Sequence, residues 1–209
     1  MKANHETLSG RGFTLVELMV TIVIIVVLAG LSISMVSRIK TKTNLAASVQ
    51  RVRDLGPMLH AYSQDEAGRL PVWQANDEYW WEMIANPDDY DPERIFRSPG
   101  HREFDPQRVD ATISYGWNVS VMGRFTESTE NEPVGQRRMA QFRRPNQVLV
   151  LADGAKENGF GLIEPNGALP DPERYKGEVA ALMLDGTARI MDATTDFAED
   201  SEWFQPRDL

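Results

Sequence analysis

From Leu18 to Val36 the chain is apolar at almost every position, interrupted only by Thr21, Ser32, Ser34 and glycine. A membrane-spanning helix needs about 20 mostly apolar residues, and a helix begun at Phe13 reaches that length. A helix apolar on every face fits a soluble domain of this size poorly. A secretory signal peptide is the nearer rival, but its apolar centre is only about 7–15 residues long. No Ala-x-Ala site follows Leu28, and the small-residue signal lies before the run, at Gly12. One carboxylate, Glu17, interrupts the start of the run. An ionisable group in a membrane-length segment costs roughly 2.5–3.5 kcal/mol even on the lenient insertion scale, so a functional partner is expected for it.

Beyond Val36 the pattern turns amphipathic. Val49, Val52, Leu55, Leu59 and Tyr62 recur at three- and four-residue steps, which is one apolar stripe on a helix and predicts packing on a globular head. Gly56-Pro57 interrupts the stripe, and Pro57 lacks a backbone donor, so a kink or break is expected there. Asp65-Glu66-Ala67-Gly68 reads as the helix end, with Gly68 as cap. From Phe13 to Ala67 such a helix is about 80 Å long at 1.5 Å per residue.

In the remaining 140 or so residues, enough for one domain, the pattern is short apolar segments between turns. Trp73 to Met83 predicts a short helix ending at Asn86-Pro87, and Asp88 to Pro99 a loop. Thr112 to Val121 alternates as a strand, with Gly116 as a bulge, and Gly123 to Gly135 is polar loop. Gln147 to Ala152 predicts a buried strand stopped by Asp153-Gly154. Glu178–Leu184 and Thr187–Met191 flank Asp185-Gly186, a strong hairpin signal. The fold class expected is α+β: a long N-terminal helix, transmembrane in its first half and amphipathic in its second, packed on a small antiparallel sheet. The divisions expected are 1–12, 13–36 as the membrane helix, 37–67 as its extension and 68–209 as the head.

Charge changes the picture in two places. The formal net charge is −9, and the first twelve residues contribute Lys2, Glu6 and Arg11, leaving −10 for the rest. That balance argues against a general nucleic-acid partner. Arg137-Arg138 and Arg143-Arg144, the densest basic cluster, read as a solvated face. Arg38, Lys40 and Lys42 follow the apolar run. By the charge rule alone they would place the C-terminal side in the cytoplasm, against Lys2 and Arg11 on the other flank.

Candidate chemistry is sparse. Cysteine is absent, so no disulfide staples the head. Of the three histidines, His5 precedes the helix, His60 lies near Pro57 and His101 stands alone, without zinc-type spacing. No phosphate-cradling glycine loop or Gly-x-Ser-x-Gly is present, and no enzymatic activity is expected. Asp88, Asp89 and Asp91, and Asp192, Asp196, Glu199 and Asp200, are carboxylate clusters of a kind calcium uses, without an Asp-x-Asp-x-Asp-Gly loop. Solubility is the plainer reading of both, and no cofactor is expected beyond that calcium option. Trp73, Trp80, Trp81 and Trp117 suit either a ligand surface or a core, with core packing expected for at least two of them.

Gly12-Phe13-Thr14-Leu15-Val16-Glu17 resembles the processing motif of type IV prepilins and type II secretion pseudopilins, and the resemblance runs over residues 11–31. It implies cleavage after Gly12 by a prepilin peptidase on the cytoplasmic side. N-methylation of Phe13 follows, and Glu17 serves as the carboxylate used in assembly. It also implies a single pass through the inner membrane with the head periplasmic, and partners that are other pilin or pseudopilin subunits and an inner-membrane assembly platform. The physics of the helix start agrees. A free amine and the helix N-terminus both favour a carboxylate one turn in, and an ion pair that fixes register is the best-attested use of buried charge.

Ser114-Tyr-Gly-Trp-Asn118, Arg144 to Gly154 and the Asp185-Gly186 hairpin resemble the heads of large pseudopilin-like families of planctomycete- and verrucomicrobium-type bacteria. Many of those carry a histidine where this chain has Tyr175, and a cysteine before a proline where it has Arg97-Ser98-Pro99. Any metal or disulfide role of those positions is therefore not expected here. The function expected is a structural subunit of a pilus-like filament. The alternative is a membrane-anchored binding module or minor pilin that recognises a secreted substrate or surface ligand, motivated by the aromatic Trp73–Trp81 segment.

Overall fold

The computed structural model describes residues 13–85, 91–131, 134–154, 161–165, 167–198 and 200–205. Residues 1–40 and 41–209 form two compact units. Helix α1 (Leu15–Asp65) is 51 residues long. In the first unit its described large apolar side chains between Leu15 and Ile39 are exposed. Its most apolar 18-residue window has a mean hydropathy of 2.8 and none of it is buried. In the second unit the predicted stripe is in place. Leu45, Val52, Leu55 and Leu59 are buried, and Val49 and Tyr62 pack against them half-buried.

Of the kink or break expected at Pro57, the break does not occur: α1 runs through it. Pro57 lies on the exposed face, as does Arg53 four residues before it, so the carbonyl left without its helical donor faces water. The buried neighbour Gly56 serves a different end. A Cβ there would stand 3.1 Å from Gly186 Cα and 3.2 Å from Gly186 O, so the missing side chain lets the helix backbone approach the hairpin turn. Gly56→Ala is expected to destabilise the protein by about 1–3 kcal/mol, measurable by denaturant unfolding. An unchanged midpoint would mean the hairpin moves aside freely.

The helix end falls where the sequence puts it, with a shift of cap. Gly68 N–H donates to Ser63 O at 2.7 Å and Glu66 N–H to Tyr62 O at 2.9 Å. Ala67 (φ +53°) takes the left-handed position and Gly68 (φ +83°) follows it, a Schellman-type ending.

The head is built on a five-stranded sheet of β3 (Tyr115–Asn118), β4 (Leu149–Asp153), β5 (Leu162–Ile163), β6 (Glu178–Met183) and β7 (Ala188–Asp192). The order is β5-β3-β4-β6-β7. All pairs are antiparallel except β3 with β5. The β6–β7 hairpin matches its prediction, but its loop is three residues, Leu184 to Gly186. Gly186 N–H donates to Met183 O and Met183 N–H to Thr187 O. Gly186 has φ +83°, the bulged turn type that follows a type I turn. Successive β6 residues point to opposite faces. Ala180 and Leu182 join the core that includes the α1 stripe. Val179, Ala181 and Met183 join a second core closed by Phe197 and Phe204.

Several loop and strand expectations need correction. The Trp73–Met83 segment is not one helix: β1 (Gln74–Ala75) and β2 (Glu78–Tyr79) form a tight hairpin, and α2 (Trp80–Ile84) follows. Asn76 (φ +50°) and Asp77 (φ +67°) make the turn, the left-handed pair of a type I′ hairpin. Its expected end, Asn86-Pro87, lies outside the described residues. Within Asp88–Pro99, the described part contains α3 (Pro92–Phe96), started by Asp91, whose carboxylate accepts from Arg94 N–H. The expected strand at Thr112–Val121 keeps only its centre. It is flanked by the helical turns α4 (Val109–Thr112) and α5 (Val119–Met122). Gly116 is not a bulge. A Cβ there would meet Leu162 O at 2.7 Å and Ile163 Cγ2 at 2.5 Å, so glycine admits β5. The register shift lies in β4 instead, between Leu149 and Leu151.

Candidate functional site

The first candidate site is the start of α1. Gly12, like Lys2, His5 and Arg11, lies outside the described residues. Phe13 is exposed and precedes the helix. Thr14 N–H and Thr14 Oγ1 both donate to Glu17 Oε2, each at 2.9 Å, and Glu17 N–H donates to Thr14 Oγ1 at 3.2 Å. Thr14-x-x-Glu17 is thus a reciprocal capping box. It satisfies two N–H groups that a helix start otherwise leaves open. Among the described residues the Glu17 carboxylate meets no cation, only this hydroxyl and this amide. From the sequence a positive N-terminus is expected as the partner of Glu17, and Thr14 plays no part in that expectation. The Thr-x-x-Glu spacing ahead of an apolar run was the available signal.

The second candidate site is a buried polar cluster in the head, which gathers residues remote in sequence. Asp153, the last residue of β4, is fully buried. Its Oδ2 accepts from Ser48 Oγ on α1 at 2.9 Å and from Ala180 N–H on β6 at 3.4 Å. Its Oδ1 faces Arg174 NH1 at 3.2 Å, in an ion pair whose side chains are 0% and 2% exposed. Arg174 NH1 also donates to Ser114 O at 3.0 Å. Beside this pair, Ser98 Oγ and Tyr175 OH share a short hydrogen bond, and Gly100 N–H donates to Tyr175 OH at 2.9 Å. His101 Nδ1 meets Ser114 Oγ at 2.9 Å. Ser98, Ser114, Asp153 and Tyr175, remote from one another in sequence, therefore converge on one spot. Tyr175 and Ser98 bond to each other there.

Burial pushes the Asp153 carboxyl above its ordinary value, and Arg174 and the Ser98 and Ser48 hydroxyls pull it part of the way back. Burial, then the Arg174 guanidinium, lowers His101 from 6.5 to about 4. Between those values the unfolded chain takes up a proton that the folded chain refuses. The stability His101 contributes is therefore present above pH 6.5 and lost as pH falls toward 4. The expected result is a shallower acid loss in His101→Gln than in the parent over that window. Asp153 acts in the opposite sense in both chains and drops out of the comparison. Parallel stability curves for the two would remove His101 from the acid response.

The remaining sequence candidates are dispersed. Asp192 is engaged by its own loop: its Oδ1 accepts from Thr194 N–H, Thr194 Oγ1 and Thr195 N–H at 2.7–2.9 Å. Asp196 Oδ2 accepts from Asp192 N–H at 2.8 Å. Asp88, Asp89 and Glu199 lie outside the described residues, and among the described residues no group of three acidic or histidine ligands could hold a metal ion. Trp80, Trp81 and Trp117 are core. Trp80 stacks on Trp117 at 5.3 Å, and its Nε1 donates to Gly161 O at 2.9 Å. Trp73 is half-buried, edge-on to Tyr79 and Phe125, with Arg124 above its ring. Arg138 NH1 donates to Ala67 O at the end of α1, and Arg143 and Arg144 are exposed. His60 is half-buried on α1, beside Gly186.

Residues 9–33 match the family model of the prokaryotic N-terminal methylation motif, 25 of the 209 residues. This motif is the N-terminal signal of type IV pilin- and pseudopilin-type precursors. No curated protein and no solved structure matches the chain. The described part of the motif, residues 13–33, leads into the exposed apolar part of α1, the one helix among the described residues long and apolar enough to cross a membrane. Both are consistent with anchoring in the inner membrane.

Proposed function

We propose that the chain is a structural subunit of a pilus-like filament, either a type II secretion pseudopilin or a type IV pilin-like protein. The observation that carries this reading is the methylation motif at residues 9–33, leading into a helix whose described large apolar side chains up to Ile39 are exposed. Prepilin peptidase cuts after Gly12 and methylates the amine of Phe13. The segment 13–36 holds the protein in the inner membrane, 37–67 extends the helix and 68–209 forms the head on the periplasmic side. Glu17 then meets the positive N-terminus of a neighbouring subunit as an inner-membrane platform adds the chain to the filament.

The head acts as a spacer and contact surface rather than as an enzyme, and it is akin to the large pseudopilin-like heads its segments resemble. The rival, a membrane-anchored binding module, was motivated by the aromatic segment. With Trp80 and Trp81 in the core, it rests on the half-buried Trp73 and Tyr79.

Mass spectrometry of the protein extracted from membranes tests the processing step. The mature N-terminus is expected at methylated Phe13. An intact Met1, or a cut after Ala29, would count against the whole reading.

A further inference from the structure

Arg38, Lys40 and Lys42 stand just beyond the apolar run on α1, and all three are exposed. None makes an ion pair with a described residue. From Leu18 to Arg53 the chain has five Lys and Arg and no Asp or Glu, so no carboxylate on this stretch of helix is within reach to neutralise them. At 3.6 residues per turn, Lys40 lies about 200° around the helix from Arg38 and Lys42 about 40°. Arg38 and Lys42 share one side of the helix and Lys40 stands on the opposite side. A protein partner docked on one side would reach two of the three at most, whereas a layer of headgroups around the helix reaches all of them.

The distance along the helix agrees. Arg38 is two residues past Val36, about 3 Å of rise, and the 24 residues from Phe13 to Val36 span about 36 Å, slightly more than a hydrocarbon core of roughly 30 Å. Cations in this position run against the usual enrichment of Lys and Arg on the cytoplasmic side. Once cleavage removes Lys2 and Arg11, they are also the side-chain cations nearest the membrane.

We propose that Arg38, Lys40 and Lys42 form a collar that binds the phosphate headgroups of anionic phospholipids at the outward face of the membrane. This rests on the membrane-anchored reading above. Juxtamembrane basic clusters attract anionic lipid in this way, with a strength that falls as salt rises. The collar holds the mature chain at a fixed depth until it is extracted.

The test uses the full chain in nanodiscs of equal parts phosphatidylglycerol and phosphatidylcholine, with the lipids retained after mild detergent stripping counted by mass spectrometry. The parent is expected to keep phosphatidylglycerol over phosphatidylcholine by about five-fold or more at low salt. The Arg38→Gln, Lys40→Gln, Lys42→Gln triple variant should keep them at parity. Equal preference in the two chains overturns the proposal, and so does a loss of the parent's preference with inorganic phosphate that sodium chloride at the same ionic strength does not cause, which marks a general anion site. Parity in both chains, with self-association lost in the variant, would assign the collar to a second copy's acidic surface, such as the cleft lined by Asp65, Glu66, Glu78 and Glu82, and overturns it too. Carbonate extraction, run alongside, separates this failure from that of the anchor: a parent chain that washes out of membranes sinks the membrane reading itself.

Discussion

Filaments are expected to disappear in a Glu17→Ala chain that still enters the membrane. The substitution removes two separable things. One is the capping box with Thr14, whose loss costs about 1 kcal/mol at a helix start and leaves the apolar run, and so insertion, intact. The other is a negative charge near membrane depth, where few partners exist and a neighbour's positive N-terminus is the natural one. Thr14→Val distinguishes the two. It removes the hydroxyl arm of the box and keeps the carboxylate, so it should assemble if charge is what matters. Normal filaments from Glu17→Ala would end the assembly role. Loss of filaments in Thr14→Val as well would reassign Glu17 to shaping the helix start.

The second large effect is expected in the head. Arg174→Ala should lower stability by about 3–5 kcal/mol, because it leaves Asp153 buried without its cation. Denaturant unfolding of the full chain in detergent reads this directly. The loss should also depend on pH. Asp153 already sits above its ordinary value through burial, and without Arg174 it rises further. A carboxyl with a raised folded value favours the folded state while protonated and loses that advantage as pH climbs through it. The Arg174→Ala defect should therefore be smaller near pH 4 than near pH 8. A double variant, Asp153→Leu with Arg174→Met, should recover much of the loss, since a buried pair replaced by apolar groups is often tolerated. A defect independent of pH, or a double variant worse than the single, would mean that packing around Arg174 dominates.

What was legible in the sequence was the local part. The apolar run, the stripe through Val52, Leu55 and Leu59, and the Asp185-Gly186 hairpin are periodic or turn signals confined to a few neighbouring residues, and each appears in the fold. The Asn76-Asp77 turn was equally local but lay hidden among aromatic residues that suggested a helix. Asp91-Pro92 was likewise a helix start, an N-cap followed by proline at the first position, taken for loop. The parallel β3–β5 pair had no such trace, since it depends on Gly116 admitting a strand more than forty residues later. The polar cluster was least legible. Ser48, Ser98, Ser114, Asp153 and Arg174 come from five separate segments, and burial alone turns these ordinary polar residues into a network.

Pro57 has a mechanical consequence. A chain drawn along its axis from the membrane end carries tension through α1, and an α-helix resists stretching through its ladder of backbone bonds. At Arg53 that ladder lacks a rung. The same turn is flanked by Val52, Leu55 and Leu59, whose side chains are held by the sheet. Tension reaching the gap is therefore expected to load the packed side chains as shear as well as the remaining backbone bonds. The missing bond falls where the opposite side of the helix is buried in the core of the head.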